Sequence, residues 1–451
     1  MLSVSNLCLH KSEKMEGLQV LLSELTRLYE SENQTSYECF ETAARVLPGG
    51  NTRSVLYSSP FPLFFTGGQG CYLSSVDGST YLDFVSEYSA GIYGHSHPAI
   101  MQAIVEALKG GINLGGHNQL EAELARLIVE RFHSIEMVRF TNSGTEASLM
   151  AISAAKAYTG REKVCLCAIS FLTRSKLTCK QIMVFSNGYH GGGLSFSTLS
   201  NPASNIPHDF VVAPFNDVEG ACAMVSESLA AIIVEPVQGA GGAIPASEEF
   251  LRGMKQCANQ VGAVFILDEV MSSRLSPRGM QGLYNITPDL TVLGKYLGGG
   301  MSFGCVGGHT KIMAKFDPRL GKTALPHSGT FNNNVLSMAA GIAGFKILTP
   351  EVIVRMNNLG DRLRGGLVAV LATYRVHKLS ITGFGSLIGL HFTGEGAADL
   401  LSCLFYTMLQ SRIYIGRRGF VCLNIIHDET HVSEFLAALE VFIDRFRAYL
   451  V

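Results

Sequence analysis

The sequence predicts an α/β protein whose core is a mainly parallel β-sheet. Three observations carry that expectation. Short apolar runs at residues 230–234, 263–267 and 290–293 have the length of buried strands, and helical patterns lie between them. Each run stops on polar residues: Glu235-Pro236, Asp268-Glu269 and Gly294-Lys295. A fourth short strand, 138–140, runs into Thr141-Asn142-Ser143-Gly144-Thr145-Glu146-Ala147 and an Ala-rich helical stretch, 147–158. In parallel α/β sheets functional groups collect at the carboxyl ends of strands, and Ser143, Glu235, Asp268 and Lys295 all stand there.

The remaining elements follow in chain order. Residues 17–46 read as helix, because Leu18, Leu21, Leu22, Leu25 and Leu28 recur at three- and four-residue spacing. Leu47-Pro48-Gly49-Gly50-Asn51 ends that pattern. Residues 64–84 alternate and turn at Asp77-Gly78, which reads as a hairpin. Helical segments follow from Pro98, at 100–108 and 120–132. After about residue 345 the pattern changes to helices and mixed strands. The expected domains are an N-terminal segment, 1–80, a large domain, 81–345, and a C-terminal small domain, 346–451. No internal repeat is visible.

Composition narrows the function. A chain of 451 residues is too long for one small module. Its 35 basic and 37 acidic residues give a net charge of −2, which argues against nucleic acid as partner. No apolar run approaches the roughly 18–20 residues of a membrane span. A hydrophobic content of 47% excludes a disordered chain, and a charged content of 16% points to a large buried interface, hence an oligomer. The cysteine count is 11, an odd number, and Lys11, Glu13 and Lys14 follow the first apolar residues rather than precede them, the wrong order for an export signal. The expectation is free thiols in a reducing, cytoplasmic compartment. Cys165 and Cys167 stand two apart with no ligand set beside them, so no metal site is expected.

The polar strand ends carry chemistry when taken in order. Ser143-Gly144-Thr145 between a strand and a helix would let backbone amides approach an anion, though an ordinary helix cap needs the same residues. Asp268, at the end of a buried strand, reads as a helix cap or as the counter-ion of a protonated heterocycle. A lysine beside a glycine run, Lys295 before Gly298-Gly299-Gly300, is either solvated surface or a desolvated nucleophilic amine. Anion cradle, carboxylate, then lysine 27 residues later is the set that pyridoxal phosphate requires: phosphate grip, pyridinium partner, Schiff-base amine.

Longer stretches make a resemblance plain. Pro48-Gly49-Gly50-Asn51-Thr52-Arg53-Ser54-Val55, residues 140–147, Gly188-Tyr189-His190-Gly191-Gly192, Val234-Glu235-Pro236, residues 293–304 and residues 327–334 resemble the class III pyridoxal-phosphate aminotransferases of fold type I. The likeness lies in the glutamate-1-semialdehyde aminomutase-like branch, nearest the β-amino acid (β-phenylalanine) aminotransferases. It runs from about Leu47 to Phe420. It implies a large domain with a mainly parallel sheet, a smaller α+β domain built from both chain ends, and a homodimer with shared active sites.

The resemblance also implies roles. Lys295 would form the Schiff base, and Asp268 would hold the pyridine nitrogen protonated. Ser143, Gly144 and Thr145 would bind the phosphate, helped by Thr330 from the other subunit. Tyr189 would stack on the ring and Val270 would pack on its far face. Glu235 would orient the site, and Gln238 would reach the ring hydroxyl. Arg53 would take a substrate carboxylate, Arg418 would supply a second fork, and Val55 and Tyr88 would wall the side-chain pocket. Arg417 stands where the family usually has proline. The implied activity moves the amino group of a β-amino acid to a 2-oxo acid such as 2-oxoglutarate by a ping-pong route. A glutamate-1-semialdehyde-type aminomutase and a cofactor-binding pseudoenzyme are the alternatives.

One segment departs from the family. Residues 164–181, 18 codons with Cys165, Cys167 and Cys179 but no Gly or Pro, interrupt an expected direct passage into an apolar strand. Their back-translation permits splice-donor, branch-point and acceptor sequences, so a retained short intron is expected, against a genuine surface insertion. Transcript sequencing decides between them. A shorter stretch than usual near 393–401 is a smaller departure. Residues 1–14 extend beyond the expected helix, with Met15 as a second possible start.

Overall fold

The computed structural model describes residues 4–160, 181–197 and 202–451, with side chains from residue 14 onward. Residues 164–180 of the anomalous segment lie outside the described residues. Its last member, Gln181, opens a core strand. The chain forms two compact units, Pro98–Val354 and the pair Met1–His97 with Arg355–Val451, rather than parting at 80/81 and 345/346.

The first unit holds a seven-stranded sheet. Its strands are β1 (Met137–Thr141), β2 (Gln181–Phe185), β3 (Asp209–Ala213), β4 (Leu229–Val234), β5 (Val264–Asp268), β6 (Leu290–Gly294) and β7 (Gly304–Gly308). The order across the sheet is β1-β7-β6-β5-β4-β2-β3. Neighbours from β6 to β3 run parallel, and β7 alone is antiparallel to both of its neighbours. The mainly parallel sheet is therefore present.

The reason lies in the strand residues. They are apolar throughout, and alternate side chains face opposite sides. Ile182, Val184, Ile233 and Ile266 pack with Ala147, Ala151 and Ala155 of α1 (Gly144–Tyr158). Met183, Phe185, Ile232 and Phe265 pack with Phe250, Leu251 and Met254 of α2 (Glu248–Val261) on the other side. Each face is covered by helix, as a parallel sheet needs. On the α2 side Cys257 is bonded to Cys222, 35 residues away, with Cα atoms 6.4 Å apart. This corrects the expectation of free thiols throughout: packing of two neighbouring helices brings that pair into bonding range. Cys39, Cys71, Cys305, Cys403 and Cys422 are not disulfide-bonded.

The second unit is α+β. Its N-terminal helical stretch is two helices, Val4–Glu32 and Gln34–Ala44. They part at Asn33, whose buried side-chain amide donates to Tyr29 O at 2.7 Å and competes with helix continuation. The expected hairpin is three antiparallel strands, Phe65–Gln69, Tyr72–Ser75 and Thr80–Asp83, extended by Ile413–Tyr414 running parallel to the last. Leu379–Phe384, Leu387–Phe392 and Phe420–Cys422 form a second antiparallel sheet. Among the described residues no single helix is long and apolar enough to cross a membrane, and no His, Cys, Asp and Glu cluster has the make-up of a metal site.

Candidate active site

Topology brings the polar strand ends to one edge of the sheet. β1, β4, β5 and β6 point the same way, so the residues following them emerge together. Leu267 is level with Val234, which sets Asp268 beside Glu235, and Asp268 is level with Val292, three residues before Lys295. Lys295 has a left-handed backbone, φ +53°, as the chain turns sharply out of β6. Ser143 caps α1 by accepting Glu146 N at 3.2 Å. The helix-cap reading of Ser143 is thus realised, and the cap leaves the first-turn amides with their partial positive charge. A Cβ on Gly144 would lie 3.0 Å from a Val270 methyl, so glycine lets helix start and Val270 approach closely without Val270 having to shift. Thr145 Oγ1 accepts Gly192 N at 3.2 Å, tying the helix start to the Tyr189–Gly193 loop.

A buried charge cluster lies beneath. His190 Nδ1 meets Asp268 Oδ2 at 2.7 Å, and Asp268 Oδ1 accepts Val270 N at 3.1 Å. Glu235 accepts Tyr189 N at 2.8 Å and Gly239 N at 3.2 Å. Burial pushes the Glu235 carboxyl up to about 7; His190 opposes this, Asp268 adds to it, and the two amides oppose it. Burial alone would lower the His190 pKa, but its bond to Asp268 and the charges of Asp268 and Glu235 outweigh burial, and it is raised. Sequence reasoning gave His190 no role. Its only signal was its place inside the Gly188–Gly192 motif.

The residues fit pyridoxal phosphate. Gln238 is buried, and its Nε2 donates to Ser186 O at 2.8 Å, while Oε1 has no hydrogen-bond partner among the described residues. That orphaned acceptor is one the cofactor's ring hydroxyl would satisfy. Asp268 offers a buried, oriented carboxylate to a ring nitrogen. The Tyr189 side chain is 46% exposed, which leaves a flat aromatic surface beside the cluster. Thr330 sits exposed in the turn before helix Val335–Ile347.

A family model described as "Aminotransferase class-III" matches residues 56–426. The chain belongs to the class III aminotransferase family. This aminotransferase is therefore an enzyme that works with pyridoxal phosphate. It is 46% identical over 436 residues to the β-phenylalanine transaminase of Variovorax paradoxus, covering 94% of this chain and 95% of that protein. It is 34% identical to a glutamate-1-semialdehyde 2,1-aminomutase of Listeria monocytogenes, covering 90% and 97%. The solved structure of a β-phenylalanine aminotransferase from Variovorax paradoxus superposes with a TM-score of 0.89 at 44% identity, covering 96% and 99%. Fold type I architecture follows from these likenesses.

The second unit of this aminotransferase gathers the other expected residues around Tyr88. Arg53 bonds the Glu87 carboxylate, and its guanidinium lies 5.9 Å from the Tyr88 ring centroid. Tyr88 OH donates to Val55 O at 3.2 Å, and its ring stacks on Phe420 at 5.5 Å. Burial raises the Tyr88 phenol pKa, while the positive charges of Arg418 and Arg53 pull it down. Arg418 is exposed. Arg417 turns elsewhere, donating to Ser402 Oγ at 2.9 Å and covering the Phe405 and Tyr406 rings. Glu87 was missed from sequence because nothing in a lone Glu-Tyr pair announces an arginine partner.

Proposed function

We propose that this aminotransferase takes the amino group of a β-amino acid resembling β-phenylalanine and passes it to a 2-oxo acid such as 2-oxoglutarate, by a ping-pong route in a homodimer. The 46% identity to a β-phenylalanine transaminase over nearly the whole chain carries the reading. The grouping of Arg53, Tyr88 and Val55 supports it, since a guanidinium beside an aromatic wall suits a carboxylate carried near a phenyl group.

Pyridoxal phosphate, when bound, supplies the aldehyde that receives the amine and the ring that withdraws electrons from the substrate carbon. The chain's own residues do the rest. Asp268 would hold a proton at the ring nitrogen, and His190 fixes the carboxylate's orientation. The first-turn amides of α1 with Ser143 and Thr145 would hold the phosphate, joined by Thr330 of the partner subunit. Lys295 Nζ would hold the aldehyde carbon and serve as the base that accepts and returns the substrate's proton. Positioned proton transfer of this kind contributes roughly 10²–10⁴-fold. Arg53 orients the donor by its carboxylate, and Arg418 serves the 2-oxo diacid.

The test is a donor and acceptor panel. Rapid turnover of 3-amino-3-phenylpropanoate with 2-oxoglutarate and parallel double-reciprocal lines are expected. Net turnover of a γ-amino aldehyde acid with no acceptor would instead make the enzyme a mutase.

A further inference from the structure

Residues Ser86, Glu87, Tyr88 and Ser89 all have left-handed backbones, with φ of +45°, +49°, +51° and +76°. Four consecutive side-chain-bearing residues in that region are costly, and such strain persists only where the surroundings dictate it. Here they do. Asp83 Oδ1 accepts Val85 N at 2.7 Å and Ser86 N at 3.1 Å. Ser86 Oγ donates to Cys422 O at 3.0 Å and accepts Asn424 Nδ2 at 3.1 Å. Gly91 N closes the turn on Ser86 O at 2.8 Å. Tyr88 OH then ties the turn to Val55 O, beside Arg53.

The outcome of this strain is one placement: the Glu87 carboxylate on the Arg53 guanidinium. We propose that Glu87 is an internal counter-ion that occupies the Arg53 fork in the substrate-free enzyme, is displaced by the donor's carboxylate, and thereby sets donor selectivity. The inference rests on the reading of Arg53 as the donor's carboxylate site.

The pair suits exchange. Its side chains are 44% and 56% exposed, so the bond is weak and screened, and a released Glu87 carboxylate returns to water. A donor carboxylate replaces like with like, so Arg53 is never left unpaired. A donor without a carboxylate leaves Glu87 in place, and Arg53 stays neutralised. Because the turn is pinned, Glu87 remains at high effective concentration beside Arg53. Glu87 is thus a specificity-determining residue that lowers affinity for carboxylate donors and tolerates donors lacking one.

The experiment compares holoenzyme with Glu87→Gln, Glu87→Asp and Arg53→Gln. KM and kcat are read for 3-amino-3-phenylpropanoate and for 1-phenylethylamine, and Kd for unreactive 3-phenylpropanoate. Glu87→Gln is expected to lower the carboxylate KM and the 3-phenylpropanoate Kd about two- to five-fold at unchanged kcat, while kcat/KM for 1-phenylethylamine falls. Glu87→Asp, still charged but shorter, is expected between the two. Unchanged or weaker 3-phenylpropanoate binding in Glu87→Gln, alongside weakened binding in Arg53→Gln, overturns the role of Glu87 alone. Unchanged binding in Arg53→Gln instead overturns the carboxylate site, and the counter-ion with it.

Discussion

His190 Nδ1 and Asp268 Oδ2 lie 2.7 Å apart, both side chains buried, on segments 78 residues apart in sequence. A buried carboxylate is costly unless paired, and here imidazole and the Val270 amide take one oxygen each. The Asp268 carboxyl is therefore held in one orientation. Asp268→Asn keeps the shape but removes the charge proposed to hold a proton at the ring nitrogen. Its kcat is expected to fall roughly 10²–10³-fold, as for other single charge-stabilising groups. His190→Asn, acting through Asp268, is expected to cost about 10–100-fold. Steady-state kinetics of both variants, with cofactor affinity from absorbance titration, check this.

Lys295→Ala removes the only amine the reading assigns to covalent attachment and proton transfer. Turnover is expected to vanish, together with the visible band of the lysine-linked cofactor. An unchanged visible spectrum in that variant would falsify the assignment.

Glu235 links pH to stability. Its folded pKa, pushed up to about 7, stands above the ordinary carboxyl value of 4.5. A raised folded pKa means the folded state binds more protons than the unfolded chain between those values. The stabilisation is full below pH 4.5 and is lost as pH rises through about 7. His190, also raised, adds loss in the same direction above pH 6.5. The Tm of cofactor-free protein is expected to drop from pH 5 to pH 8, reflecting a loss of at most a few kcal/mol, on the order of the pKa displacement. Glu235→Gln, which cannot ionise, is expected to flatten that fall. A steeper slope in the variant contradicts the sign.

The strand ends were legible because apolar runs stop abruptly on Ser143, Glu235, Asp268 and Lys295, a local signal. What stayed hidden is non-local. His190 and Asp268, Arg53 and Glu87, and Cys222 and Cys257 are each brought together by packing, which one chain position does not encode. The left-handed turn at 86–89 carries no glycine, the usual mark of positive φ. β7, Gly-Cys-Val-Gly-Gly, has little strand propensity. It is a strand because it pairs with β6 and β1 on both sides, and its first position must be glycine: a Cβ on Gly304 would sit 2.1 Å from Ser143 O and 2.3 Å from Thr141 Oγ1.

That crowding makes Gly304→Ala a test of the phosphate cradle. The methyl meets backbone, which yields poorly, so either β7 or the Ser143 cap must shift. Overpacking of this kind costs about 1–3 kcal/mol. Weaker cofactor binding is expected alongside a lower Tm. Normal cofactor affinity in a destabilised variant would show that β7 gives way instead of the cradle.

Arg417 and Arg418 are neighbours with opposite expected behaviour. The Arg417 guanidinium lies 4.9 Å and 5.4 Å from the Phe405 and Tyr406 ring centroids and donates to Ser402 Oγ, half-buried against helix Ala397–Gln410. Burial lowers its pKa, though Tyr406, Cys403 and Tyr29 oppose this. Its work is packing, and Arg417→Ala is expected to cost about 1–2 kcal/mol by stripping the cation from the two rings and the stem from its apolar bed. Arg418 is exposed one residue on. Arg418→Gln is expected to leave stability within about 0.5 kcal/mol of wild type. A hydrogen bond from a guanidinium to the acceptor's distal carboxylate is worth about 1.5–3 kcal/mol, so without it the 2-oxoglutarate KM is expected to rise roughly 10–100-fold, and the pyruvate KM far less. Melting curves and acceptor kinetics on the two variants separate the roles. Equal loss of both acceptors in Arg418→Gln would remove the second fork from the mechanism.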